Sequence, residues 1–158
     1  MKVLLLNGSP HEHGCTDAAL REVADTLREE GIEAEIFWIR NEPVGGCIGC
    51  GGCAKAGKCV FGGTVNEFAE KAMAADGFVF GTPVHYAAAS GNVTAFLDRL
   101  FYSAPKAAFC RKPAAVVTSA RRAGTTAAYE QLLKYPGISE MPIVSSCYWN
   151  NVHGSCPE

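Results

Sequence analysis

The chain has 158 residues, 48% of them hydrophobic and 19% charged, with 14 basic against 16 acidic side chains and a formal charge of −2. That is one domain's worth of protein, able to bury roughly 70% of its unfolded surface, and its composition excludes a disordered or collagen-like chain. The longest early apolar run, residues 3–6, falls far short of the ~20 residues a membrane span needs, and the lack of a Lys/Arg-rich stripe argues against a nucleic-acid partner.

Residues 2–7 form a short, continuously apolar run, as expected for a strand buried on both faces. A Gly/Ser/Pro loop, 8–15, leads into a helix over 16–30. Its Ala19, Leu20, Val23, Ala24 and Leu27 share one face, and Gly31 is the expected stop. Residues 33–39 read as the second strand. The stretch 40–63 is rich in glycine and cysteine and has no period; loops of that length in compact domains are usually functional. Residues 64–75 read as a helix, with Thr64 as N-cap and Glu67 completing a capping box.

The third strand is expected at 77–81, followed by a loop at 82–91 and a helix at 92–102. The fourth strand is expected at 114–119, with a loop at 121–124 and a helix at 125–134, and the fifth strand at 142–146. Strand and helix alternate throughout, which implies an α/β fold: a doubly wound, five-stranded parallel sheet with helices on both faces. The reading is one domain over 1–158 with a cysteine-rich insertion at 43–63. Doubly wound domains normally close with a further helix. Residues 156–158 read as the start of one, so the closing helix is expected to be absent from this chain or replaced by a neighbouring chain. The N-terminus lacks the apolar core and cleavage site of a signal peptide, which makes the cytoplasm the expected location.

Open α/β sheets bind ligands at the carboxyl ends of their strands. The first such loop, residues 8–16, runs straight into a helix N-terminus, where exposed N–H groups and the helix dipole favour an anion. Ser9 and Thr16 add hydroxyl donors. There is no Gly-x-x-x-x-Gly-Lys-Ser/Thr and no Gly-x-Gly-x-x-Gly, and the loop carries no Lys or Arg. A phosphate monoester held by neutral donors fits this better than a triphosphate with magnesium. The alternative is a plain connector, since Gly, Ser and Pro are common in turns. A third reading takes Cys15 and Arg21, spaced Cys-x5-Arg, as a phosphatase nucleophile and its arginine. The helix-forming, glycine-free residues between them, and Asp17, weigh against it.

Two further loops leave the same sheet edge. Thr82-Pro83-Val84-His85-Tyr86 offers an aromatic ring and backbone N–H groups, and residues 119–125 offer hydroxyls with Arg121 and Arg122. Together they could cradle a flat, hydrogen-bonding ring system at a distance from the phosphate. Plain packing of His85 and Tyr86, and a solvated turn for the arginines, remain open.

Residues 2–10, Lys-Val-Leu-Leu-Leu-Asn-Gly-Ser-Pro, with Gly14-Cys15-Thr16, resemble the opening of the NAD(P)H-dependent FMN reductase-like flavoproteins of the flavodoxin-like fold. Residues 75–86 and 90–99 are similar to that family's flavin loop and the helix after it. The resemblance implies sheet order 2-1-3-4-5 and a three-layer α/β/α architecture. It implies that Ser9, His11, Gly14, Cys15 and Thr16 hold the phosphate of FMN, that Pro83, Val84, His85 and Tyr86 border the isoalloxazine, and that Ser119, Arg121, Arg122 and Gly124 flank its pyrimidine side. It further implies NADH or NADPH as co-substrate, a small-molecule or redox-protein electron acceptor, and assembly as a homodimer or higher homo-oligomer. The tail 148–154 resembles a segment near the flavin in relatives; a strand cap with Trp149 in the core is the alternative.

Eight cysteines are many for a reducing compartment, and four of them, Cys47, Cys50, Cys53 and Cys59, fall within thirteen residues. Thiolates at intervals of three can converge on one cubane, with glycines letting the backbone wrap it. The spacing Cys-x2-Cys-x2-Cys-x5-Cys differs from a ferredoxin's and resembles the compact motif of the iron–sulfur flavoproteins. That resemblance implies a 4Fe-4S cluster on these four residues and an alternative role as an electron carrier. Metal-free thiols and a zinc ion remain open readings of the same loop. Cys110, Cys147 and Cys156 are scattered, as small buried hydrophobes often are.

Overall fold

The computed structural model describes residues 1–155. The helix start expected at 156–158, with Cys156, lies outside the described residues. In chain order the elements are β1 (Lys2–Asn7), α1 (Cys15–Glu29), β2 (Glu33–Trp38), α2 (Gly52–Ala56), α3 (Thr64–Ala74), β3 (Gly77–His85), β4 (Ala88–Ala89), α4 (Gly91–Ser103), β5 (Ala114–Ala120), α5 (Thr125–Ile138) and β6 (Asn151–His153). A 3₁₀ turn, Lys106–Ala108, precedes β5.

The main sheet is parallel, in the order β2-β1-β3-β5-β6, and β4 pairs antiparallel with the end of β3. With that short strand set aside, this is the expected 2-1-3-4-5 order. Alternation of side chains splits β1 between two cores: Leu4 and Leu6 face one, Leu5 the other. The larger core is covered by α3, α4 and α5. Its centre is a set of aromatic rings, with Phe68 edge-on to both Phe37 (5.3 Å) and Phe96 (5.7 Å) and Phe101 stacked on Phe109 (4.6 Å). Each such pair adds about 0.5–1.5 kcal/mol beyond the area it buries. The opposite face is covered by α1, whose Leu20 and Ala24 pack on Leu5, Val79 and Val117. Beside α1 an open apolar groove of 470 Å³ runs along Val79, Ala115, Val117, Val144 and Trp149. No helix among the described residues is long and apolar enough to cross a membrane.

Four expectations need correction. Residues 82–85 continue β3 instead of forming a loop. They turn at Tyr86 and Ala87, both at positive φ (52° and 58°), into β4. The capping box does not form. Thr64 is the first helical residue, the N-cap is Gly63 at φ 74°, and Glu67 pairs instead with Arg40 at 2.8 Å. The fifth strand is displaced. Ile143 makes one bridge to Ala114, while the ladder on β5 forms at Asn151–His153. Between them the Asn150 side chain donates to Val116 O (3.2 Å) and its carbonyl accepts from Thr118 N (3.0 Å), replacing part of the missing ladder. Finally, α5 runs past Pro136 to Ile138. A proline near a helix end forfeits one late hydrogen bond and need not stop the helix at once.

Candidate functional site

The carboxyl ends of β1, β3 and β5 open on a shared cleft of 370 Å³. Its first wall is the loop after β1. Asn7 is fully buried and organises that loop from inside: its Nδ2 donates to Glu12 O (3.0 Å) and its Oδ1 accepts from Ser9 N (3.0 Å). The Trp38 indole N–H donates to Ser9 O at 2.8 Å, tying the loop to the end of β2. Gly8 is required by crowding: a Cβ there would lie 1.8 Å from Val93 Cγ2 and 2.7 Å from Gly81 O.

α1 then starts at Cys15 with Gly14 extended and no side chain capping it. Its first N–H groups therefore have no intrahelical acceptor and stand at the cleft. Three hydroxyls surround them, on Ser9 (4% exposed), Thr16 (1%) and Ser119 (5%). Thr16 Oγ1 and Ser119 Oγ are 2.7 Å apart, so one donates to the other and one proton is left to point elsewhere. Ser9 Oγ accepts from His11 N at 3.1 Å, which likewise leaves its own proton free.

The second wall is Pro83, Val84 and His85 on β3, and the third is Ser119, Ala120 and Arg121 at the end of β5. Arg121 forms no ion pair among the described residues. Of the residues expected at the site, Ser9, His11, Gly14, Cys15, Thr16, Pro83, Val84, His85, Ser119 and Arg121 line the cleft. Tyr86, Arg122 and Gly124 stand outside its wall. Tyr86 is fully exposed at the apex of the β3–β4 turn. Gly124, at φ 91°, lets the loop after β5 approach that turn: a Cβ there would meet Ala87 Cα at 2.6 Å.

Sequence reasoning missed His13 and Ser155 as lining residues, and Asn7 and Trp38 as supports of the loop. His13 lies inside the loop it had singled out. The rest are brought in by tertiary pairing. The tail divides: Gly154 reaches the cleft, its N–H on Ala120 O (3.0 Å), while Trp149 is 44% exposed and so is not a core cap.

The Cys-x5-Arg reading fails on geometry. Residues 15–21 are helical, and Arg21 Nε donates to Asp17 Oδ2 at 2.7 Å, so no loop wraps an anion with that guanidinium.

The cysteine segment forms a separate cavity of 360 Å³ walled by Cys47, Cys50, Cys53 and Cys59 and closed by α4. Glycines 49, 51, 57, 62 and 63 all take positive φ, which bends the backbone around it. Among the described residues no three His, Cys, Asp or Glu side chains converge as a single ion requires. The four cysteines all line this one cavity. Arg99 of α4 enters this wall, with Nε 3.3 Å from Cys59 Sγ and Nη2 2.7 Å from Gly62 O. A signal for it existed: Phe96, Arg99 and Ser103 follow i, i+3, i+7 spacing, so the charge falls on a buried stripe.

The chain is 36% identical over 99 residues to an iron–sulfur flavoprotein of Methanocaldococcus jannaschii, covering 63% of this chain and 51% of that protein. It is 31% identical over 110 residues to an FMN-dependent NADPH-azoreductase of Staphylococcus aureus, covering 63% and 52%. The chain thus matches about half the length of these curated relatives. Among solved structures, a flavodoxin, WrbA-like protein from Agrobacterium tumefaciens superposes with a TM-score of 0.70 at 17% identity, over 99% of this chain and 85% of that one, which establishes the flavodoxin-like fold. The family model described as NADPH-dependent FMN reductase matches residues 1–155. This chain belongs to that family.

Proposed function

We propose that the chain binds FMN in the cleft at the α1 N-terminus and works as an FMN-dependent NAD(P)H oxidoreductase, handing electrons to a small-molecule or redox-protein acceptor. One observation carries the reading. The buried Ser9 and Thr16 hydroxyls, with the Ser119 hydroxyl facing them from β5, meet the uncapped start of α1 beside a loop that carries no lysine or arginine, a donor set suited to a phosphate monoester. Bound there, FMN would supply the capacity to take hydride from a nicotinamide and to release electrons singly or in pairs.

In this reading the N–H groups at Gly14, Cys15 and Thr16, with the Ser9 and Thr16 hydroxyls, hold the phosphate, and His11 closes the loop. Pro83, Val84 and His85 border the ring, with Tyr86 at the rim. Ser119 and Arg121 lie on its pyrimidine side, where the guanidinium favours negative charge on the reduced ring; Gly124 lets the loop after β5 approach the β3–β4 turn. No side chain need exchange a proton with the nicotinamide. The protein's part is to orient two rings and shield them from water.

We further propose a 4Fe-4S cluster on Cys47, Cys50, Cys53 and Cys59. The shared cavity and the names of the iron–sulfur flavoprotein relatives support it. Less than one iron per chain in anaerobically purified, flavin-loaded protein would remove it.

Anaerobic stopped-flow mixing of the FMN-loaded chain with NADPH, and separately NADH, tests the main reading. Bleaching of the visible flavin band with either nucleotide is expected. Reduction by a ferredoxin alone, with neither nucleotide bleaching it, would show a carrier and not a nicotinamide oxidoreductase.

A further inference from the structure

Arg99 is a buried cation without an acid. The residue is 9% exposed, and no carboxylate lies within ion-pair distance of it among the described residues. The neighbouring Asp98 is engaged elsewhere, accepting from Tyr135 Oη at 2.6 Å. The guanidinium is held by Gly62 O at 2.7 Å and lies 5.9 Å from the centroid of the Phe61 ring. Its remaining contact is with sulfur, Nε donating to Cys59 Sγ at 3.3 Å. Burying a charge without a counter-charge is unfavourable, and a neutral thiol is a weak acceptor that offsets little of that cost. A negatively charged sulfur centre in the cavity would resolve the imbalance. Lys55 and Lys58 do not serve the same purpose, because both are exposed and neither lines the cavity.

We infer that Arg99 is a positioning residue of the cysteine cavity: it fixes Cys59 as a ligand and supplies the counter-charge that raises the reduction potential of the cluster bound there. This rests on the cluster assignment made above. The physical basis is general. Hydrogen bonds to ligand sulfurs and nearby positive charge stabilise the more negative, reduced state of a cluster, so they move its potential upward. The couple concerned adds one electron to the cluster, with no bond made or broken. Arg99 also rides on the helix whose Val93 packs beside Gly8, so the cavity wall is fixed to the same scaffold as the proposed flavin cleft.

The test uses the full chain and its Arg99→Lys and Arg99→Gln variants, each reconstituted anaerobically with iron and sulfide. Iron and acid-labile sulfide are counted, and the cluster midpoint is read by EPR during a dithionite titration. Arg99→Gln is expected to reduce tenfold less readily at a fixed potential, a midpoint about 59 mV lower for a one-electron couple. Arg99→Lys keeps the charge but loses the fork, and its midpoint should fall between the two. Should the glutamine variant fold, by circular dichroism, and yet hold no iron, the role in fixing Cys59 is upheld and the lysine variant supplies the potential. Variants with wild-type iron content and wild-type midpoint would overturn the role of Arg99. A wild-type chain that binds FMN but takes up less than one iron would overturn the cluster itself, which is a different result.

Discussion

Asp17 is an acid in the first turn of the helix proposed to meet the phosphate, and on its own it would repel that ligand. Its residue is 6% exposed, so water screens it little. Arg21 offsets it through the 2.7 Å bond from Nε, and His13 Nδ1 lies 3.0 Å from Nη2 of the same arginine and 3.3 Å from Asp17 Oδ2, holding the loop against the helix. The neutral character of the site is therefore arranged one turn away from it. Arg21→Ala should weaken FMN binding by roughly tenfold, about 1.4 kcal/mol, while leaving riboflavin binding almost unchanged. Adding Asp17→Asn to that variant should recover most of the loss. Calorimetric titration of the three proteins checks this, and equal losses for FMN and riboflavin would show that Arg21 acts on the fold and not on the charge.

At the scale of elements, two junctions decide how the cleft is presented. The β3–β4 hairpin places two non-glycine residues at positive φ, a cost on the order of 1–2 kcal/mol per residue. Tertiary bonds retain it: Gln131 Oε1 accepts from Ala89 N (3.0 Å) and Thr82 Oγ1 from Ser90 N (3.2 Å). At the other edge of the sheet, Glu35 on β2 bonds Lys2 of β1 (2.7 Å) and Lys71 of α3 (2.7 Å). These two partners, Lys2 first, hold the Glu35 carboxyl below its ordinary range, and Glu35 in turn raises Lys2. A depressed folded-state carboxyl contributes stability above its unfolded pKa and loses it as pH falls through the folded value. Unfolding stability should thus drop as pH falls below about 4.5, and Glu35→Gln should flatten that drop by about 1 kcal/mol or less, the scale of partly exposed pairs. Urea unfolding curves from neutral pH to pH 3 measure it; parallel curves for the two proteins would remove the triad from the account.

For the molecule as a whole, what could be read in advance follows how local the deciding interaction is. β1, α1 and the loop between them were legible because apolar runs, helical period and Gly31 all act within a few residues. The continuation of β3 was hidden by Pro83. Its missing N–H is tolerated because β1 ends at the level of Gly81, leaving Pro83 paired on one side only, with Ser119 of β5. The displaced β6 was hidden because Asn150, a side chain, fills part of a backbone ladder. Arg99 was read as part of a helix because its sulfur partner lies 40 residues away. The cleft residues were legible since the fold class dictates which loops share a sheet edge, while their supports, Asn7 and Trp38, required the pairing itself. The proposed site holds the FMN phosphate by neutral donors, and the direct measurement is a calorimetric titration of the full chain with FMN and with riboflavin. One FMN per chain, bound roughly a hundredfold more tightly than riboflavin, is the expected result. Equal affinity for the two, or no binding of FMN by folded protein, would contradict it.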